Sequence, residues 1–364
     1  MASSIERLLV ATRKGIFTAE RSNATWVLTE VAFEGHCVSA VLPDARDGSL
    51  FVAVGQGAGC KLQRSVDGGR TFRELGPLSF PSDCATGVEL VWSLEAAGAD
   101  KPGEIWAGTV PGGLFRSSDC GEHWELVHAL WRRPERARWT GSGLSLPGIH
   151  SVLVDPRDSS HLVVGVSRGG VWRTQDGGGS FEPIGAGLRA VQEPKFDASN
   201  QDPHRIARCR SSPEVLWLQH ETGVYRSTDA GEHFEELSAA AGAFGFAVAA
   251  HPHDPDTAWF VPVRDAHQRL PPERKLVVQK TRDGGKTFEA KTRGLPQHFA
   301  YHVVYRHALD VDDSGTQLAL GSTTGNLWIS EDGGESFALV SHDLPPIYAL
   351  RFTTLRVRSP AATA

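Results

Sequence analysis

The chain has 364 residues, 40% of them apolar, with 39 glycines, 21 prolines and 22% charged residues, which suits a folded body of many short strands and argues against disorder. Its net charge of −6 gives no general attraction for nucleic acid or anionic lipid, so neither is expected as a partner. Cys37, Cys60, Cys84, Cys120 and Cys209 are odd in number and form no C-x-x-C pair, which argues against a disulfide framework and a thiolate zinc site. No apolar run approaches the roughly 18 residues of a membrane span, and the start "MASSIERLLVATRKG" does not read as a signal peptide. A cytoplasmic protein with reduced thiols is expected.

In chain order, the first unit offers three strands, "RLLVATR", "GIFTAE" and "TWVLTE". From "VSAVLPDARDGSLFVAV" onward a fuller pattern sets in: two short apolar strands around an Asp- and Pro-rich turn, a third strand, a tight turn and a fourth strand. The tight turn is nearly the same each time. It reads "RSVDGGRTF", "RSSDCGEHW", "RTQDGGGSF", "RSTDAGEHF", "KTRDGGKTF" and "ISEDGGESF", with its aspartates at Asp67, Asp119, Asp176, Asp229, Asp283 and Asp332. The intervals suit a four-stranded propeller blade with some long loops. A degenerate seventh box, "AERSNATW" at 19–26, carries Arg21 in the Asp position.

The first unit lacks one strand and the chain ends with a spare one, "IYALRFTTL". The two are expected to meet in one blade. The fold expected is therefore all-β, a seven-bladed β-propeller of four-stranded antiparallel blades, ring closed by a C-terminal strand in the N-terminal blade. It occupies residues 1–364 as a single domain with its ordered core at about 7–355, and closure removes exposed sheet edges. Within each box the Asp carboxylate can accept backbone N–H bonds, glycine supplies a positive φ and the aromatic packs between sheets. The boxes read as turn chemistry.

The box pattern resembles that of the Asp-box (BNR) repeat superfamily, and "VATRKGIF", "PGIHSVLVDPRD", "QDPH" and "HPHDPDTAWFVPV" are similar to bacterial WD40/YVTN/BNR-like proteins, often labelled exo-sialidases or glycosyl hydrolases by the repeat alone. The resemblance implies the propeller and no particular activity. Sialidases of the superfamily carry an Arg-Ile-Pro motif, an arginine triad and a Tyr nucleophile. Here there is no Arg-Ile-Pro, and Tyr225 directly precedes a box at a packing position, so sialidase chemistry is not expected.

In a propeller the boxes face away from the usual site, which belongs to the loops around the opposite end of the axis. Counting five residues back from the Asp of "VLVDPRD" gives His150, and the same count gives Ser39, His204 and Phe246, with Trp92 and Arg306 as looser matches. His150 and His204 thus fall at one depth on neighbouring blades. His220, Asp202, Glu95, Arg264, Asp265 and His267 are placed on the same face. The expected site has His150, His204 and Asp202 as catalytic residues and Trp92, Glu95, Arg205, His220, Arg264 and Asp265 around the substrate. A metal centre at His150, His204 and His220 would take zinc, manganese or iron. A small-molecule hydrolase or lyase is one reading, with Arg205 or Arg264 holding an anionic group. The other is a non-catalytic binding or assembly propeller recognising a protein partner, and the oligomeric state stays open. His251 and His253 read as turn residues, and "RRPERAR" as a solvated loop. The long insertions "LWRRPERARWTGSGLSLPG" and "VQEPKFDASNQDP" flank His150 and His204, where a lid or specificity wall would be built.

Overall fold

A computed structural model describes residues 4–23, 25–55, 59–141, 146–191, 200–238, 242 and 244–356. Seven four-stranded antiparallel sheets stand around one axis as a β-propeller. Blade 1 is made of Ile347–Arg356, Ser4–Thr12, Gly15–Ser22 and Thr25–Ala32, innermost first. The innermost strands of blades 2 to 7 are Val38–Pro43, Leu90–Ala96, Ile149–Asp155, Pro203–Arg208, Gly245–Ala250 and Leu309–Val311. The C-terminal strand pairs antiparallel with the N-terminal one from Ser4↔Arg356 to Thr12↔Ile347, so the ends of the chain close the ring in one blade as the sequence implies.

Most second strands, and inner strands such as Gly245–Ala250, are buried on both faces, because each blade packs between two neighbours. They read as continuous apolar runs such as "GFAVAA" and "LFVAV" rather than as alternating ones. Trp106, Trp172, Trp217 and Trp259 are fully buried in this packing, each contributing on the order of 2–3 kcal/mol. The outermost strand Thr25–Ala32 faces solvent along most of its length.

The six boxes share one hydrogen-bond pattern. In blade 4, Thr174 Oγ1 donates to Asp176 Oδ1 (2.7 Å) and accepts from the Gly178 amide (3.0 Å), while Asp176 Oδ1 accepts from the Ser180 amide (2.9 Å) and Oδ2 from the Ser180 hydroxyl (2.7 Å). These bonds hold the Asp176 carboxyl down at about 2. In two boxes a histidine replaces the last hydroxyl: His123 and His233 place Nδ1 at 2.7 and 3.0 Å from Asp119 and Asp229. The carboxylates are spent on their own turns. Blade 1 departs from this: Ser22 pairs directly with Thr25, and Arg21 forms ion pairs with Glu331 and Glu6. Ala24, within that degenerate box, lies outside the described residues.

Candidate functional site

The inner strands share a local irregularity at the end opposite the boxes. In blades 1 to 6 the pairing with the second strand skips one residue, and the skipped residues are Tyr348, Ser39, Trp92, His150, His204 and Phe246. In the same register the seventh position is His307, two residues before the strand Leu309–Val311. A bulge turns one side chain out of the pleat and re-aims it. Here the bulges form a ring around the mouth of the axis. Some of its members also tie neighbouring blades together: Ser39 Oγ donates to the Val91 carbonyl (2.7 Å), and His204 Nδ1 donates to the Gly245 carbonyl (2.6 Å).

That second bond fixes the chemistry of His204. With Nδ1 as the donor, Nε2 of a neutral ring carries a lone pair, and it faces two carboxylates: Glu221 Oε2 at 3.2 Å and Asp202 Oδ2 at 3.9 Å. Acceptor against acceptor is unfavourable, so either a proton or a cation belongs between them. One ligand atom from each of Asp202, His204 and Glu221 lies within 4.8 Å of the other two, a separation a single metal ion can span. Asp202 and His204 are wholly buried, while the Glu221 side chain is 20% exposed. Contact with His204 is the first cause holding the Glu221 carboxyl below its usual range.

Asp202 is held from behind. Arg168, in a turn of blade 4, donates its amide to Oδ1 (3.1 Å) and leans Nε toward Oδ2 (3.4 Å). Arg168 adopts φ 42°, a left-handed conformation uncommon for a residue with a side chain, which marks a constrained spot beside the cluster. From the other side, His220 Nε2 accepts the Asp202 amide (2.9 Å) and Nδ1 lies 2.9 Å from Thr222 Oγ1, itself 2.8 Å from the Tyr225 hydroxyl. Both nitrogens of His220 are therefore engaged. Burial pushes its pKa down to about 3, and it positions the Asp202 loop as a neutral ring rather than offering a ligand atom.

His150 is also wholly buried, with Nδ1 2.9 Å from Ser151 Oγ and Nε2 without a partner among the described residues. Burial, with the nearby Arg306 charge second, drives its pKa well below the usual value. It lies outside the cluster of possible ligands. His307 is likewise buried with an unpartnered Nε2.

The remaining expected residues fall in three places. Trp92 stays at the mouth, edge-on to His150 (5.7 Å) and beneath the Arg306 guanidinium (4.8 Å). Glu95 and Arg205 line the axis lower down, with Asp310 and Arg351. All four lie deep in the ring yet keep part of their surface accessible, as the walls of a channel do. Burial raises the Glu95 carboxyl and lowers Arg205 to about 9. The structure does not bring Arg264, Asp265 and His267 into the cluster: Arg264 bonds Gln268 (2.8 Å), Asp265 accepts the amides of His267 and Gln268, and the turn is self-contained.

Two participants escaped the sequence reading. Glu221 is the residue after His220 in the turn between two strands, one position from a residue the sequence does single out. His307 is what the five-residue count gives from Asp312 in "DVDDSG", one residue beyond the Arg306 taken as a looser match. The insertions expected to form a wall are partly described. In the first, Arg136 stacks on Trp131 (3.3 Å) and Arg133 pairs with Glu135 (2.6 Å), while Arg132 and Arg138 are exposed, so the basic run remains a solvated surface segment anchored by the buried Trp139. Residues 142–145 and 192–199 lie outside the described residues.

No family model matches the chain, and no curated protein does. Among solved structures it is similar to the GH74 xyloglucanase of Xanthomonas campestris, with a TM-score of 0.63 and 17% identity over 91% of this chain and 52% of the other. The chain thus spans about half the length of that enzyme. It is similar to YCF48 from Cyanidioschyzon merolae, with a TM-score of 0.55 and 15% identity, covering 91% of this chain and 96% of the other. A YCF48 bound to D1 peptide matches with a TM-score of 0.52 and 14% identity, over 83% and 82% of the two chains. At these identities the likeness is one of fold alone, and it supports the seven-bladed propeller without choosing an activity.

Proposed function

We propose that the protein is a metal-dependent enzyme, a hydrolase acting on a small polar molecule at the mouth of the axis, with the metal held by Asp202, His204 and Glu221. The observation that carries this reading is the lone pair of His204 Nε2 opposed to two carboxylates while Nδ1 is committed to a carbonyl. Metal-ligating histidines are commonly fixed in this way, with the second nitrogen donating to a backbone oxygen. One imidazole and two carboxylates suit manganese, iron(II) or zinc, and leave coordination positions for water and substrate. A metal so held would supply a water acidified toward neutral pH or would polarise a carbonyl. The chain's own residues then orient the ligand: buried, neutral His150 offers an unpartnered nitrogen, and Trp92, Phe244 and Phe246 wall the mouth. The resemblance of the boxes to the Asp-box superfamily supports the scaffold and leaves the chemistry to this cluster. Free thiols at all five cysteines are consistent with a reducing compartment such as the cytoplasm, and no helix among the described residues is long and apolar enough to cross a membrane.

The test is elemental analysis of untagged protein, followed by manganese and zinc titration after chelation. One ion per chain, lost in Glu221→Gln with the fold intact, is the expected result. No bound metal and no affinity for either ion would remove the metal and leave His204 as an imidazolium paired with Glu221. A second reading has one specific observation in its favour: Phe299 and Tyr301 are 79% and 53% exposed in the loop that enters blade 7. That pair would serve a binding propeller, and Phe299→Ser with Tyr301→Ser would then abolish partner capture without changing metal content.

A further inference from the structure

Arg306 sits on the loop entering blade 7, its guanidinium between the faces of Trp92 (4.8 Å) and Phe246 (5.3 Å). The residue is 6% exposed. Nε and Nη2 have no hydrogen-bond partner among the described residues, although Asp202 and Glu221 are near enough to favour its charge. Those two nitrogens form one edge of the guanidinium, the fork that takes the two oxygens of a carboxylate. Leaving buried cationic donors unpaired is costly, so such a fork is most often matched by an anion.

The charge balance points the same way. A divalent cation on Asp202, His204 and Glu221 would neutralise the two carboxylates and leave Arg306, with Arg168 behind Asp202, as uncompensated positive charge at the mouth. Arg205, the other deep arginine nearby, belongs to the channel below, where its charge neighbours are Arg351, Glu95 and Asp310 rather than the carboxylates of the cluster. Two aromatic faces fix the plane of Arg306, so the oxygens it binds are read in one orientation.

We infer that Arg306 is a specificity-determining residue that binds the carboxylate of a small anionic substrate, and that the enzyme acts on carboxylate-bearing rather than neutral molecules. This rests on the metal reading above, because the unbalanced charge arises only once the cluster is filled.

The probes are manganese alone, then malonate, malonamide and inorganic phosphate added to manganese-loaded full-length protein, read by calorimetry. Malonate is expected to bind at least tenfold more tightly than malonamide, and Arg306→Lys to lose about tenfold for malonate while keeping one manganese per chain. Tighter binding of phosphate than malonate would reassign the fork to a phosphoryl group and overturn the carboxylate assignment. Equal malonate affinity in Arg306→Lys and wild type, or no preference over malonamide in a protein that holds manganese, would overturn the inference and leave the metal site standing. Failure to hold manganese is the separate failure of the metal reading. Should Arg306→Lys not fold, nitrogen-labelled arginine resonances of the wild type replace it: a saturable shift of one buried Nε–H with malonate supports the inference, and no shift overturns it.

Discussion

His204 and Glu221 face each other at 3.2 Å across the start of one strand and the turn that follows the next, and the same imidazole is tied at its other nitrogen to the Gly245 carbonyl of the neighbouring blade. His204 is therefore both a bolt between blades and half of a ligand set. The two roles separate on mutation. His204→Ala frees the Gly245 carbonyl and opens a small cavity, so the metal-free protein should lose roughly 1–3 kcal/mol. Glu221→Gln leaves the bolt in place and should change the melting temperature little while lowering metal affinity at least tenfold. Denaturant titration beside metal titration separates them, and an equal loss of metal-free stability in both variants would contradict the assignment.

Asp176→Ala removes an acceptor of two bonds from Ser180 and one from Thr174 at the far end of the ring. Stability should fall by about 1 kcal/mol, as for loss of a capping side chain. Metal and malonate affinity should be unchanged in the folded protein. A selective loss of either would place function in the boxes.

A chain ending at Pro346 lacks the strand that pairs with Ser4–Thr12. It should aggregate, because two sheet edges become available for pairing with other chains. A soluble monomer with an unchanged thermal transition would show that the ring does not depend on this closure.

His251 occupies the place that Asp44 and Asp155 hold in other blades: its Nδ1 accepts the amides of His253 (3.1 Å) and Asp254 (3.0 Å), as those carboxylates accept turn amides. Burial lowers its pKa. The ring is thus neutral when folded and protonates more readily when unfolded, near pH 6.5. Its contribution should be complete above about pH 6.5 and be lost as pH falls below that value. His251→Asp should keep the turn and flatten the decline in melting temperature between about pH 6.5 and 5. An unaltered pH profile would rule out this role.

Most of the fold was legible because each blade repeats its own turn chemistry and its pair of apolar strands. The ends were legible because one unit lacked a strand that the other end supplied. Site depth was legible in most blades: a count from one turn aspartate placed Ser39, His150, His204 and Phe246 at one level, with Trp92 and Arg306 as looser matches. The first four and Trp92 are the bulged residues of their strands, whereas in blade 7 the position falls on His307 rather than Arg306. Which of them point at one another was not. His150 and His204 share a depth, but the acceptors opposite His204 come from a turn and from the residue two before it. Distances across a ring depend on the path of each turn, which a linear count does not contain. His220 shows the same limit, since only its hydrogen bonds reveal both nitrogens already in use.

The bulge ring has a further consequence for how such a molecule can change. A side chain within the pleat is constrained by two neighbouring sheets, so altering it disturbs the wedge between blades. A side chain expelled by a bulge is freed from that constraint on one side and projects toward the axis instead. Six such positions, occupied here by Tyr348, Ser39, Trp92, His150, His204 and Phe246, with His307 at the corresponding register in blade 7, amount to an alphabet written around a fixed frame. Letters that do not also tie blades together, as Ser39 and His204 do, can be exchanged there to retune polarity, size or ligand chemistry, while the sheets that hold them keep their register.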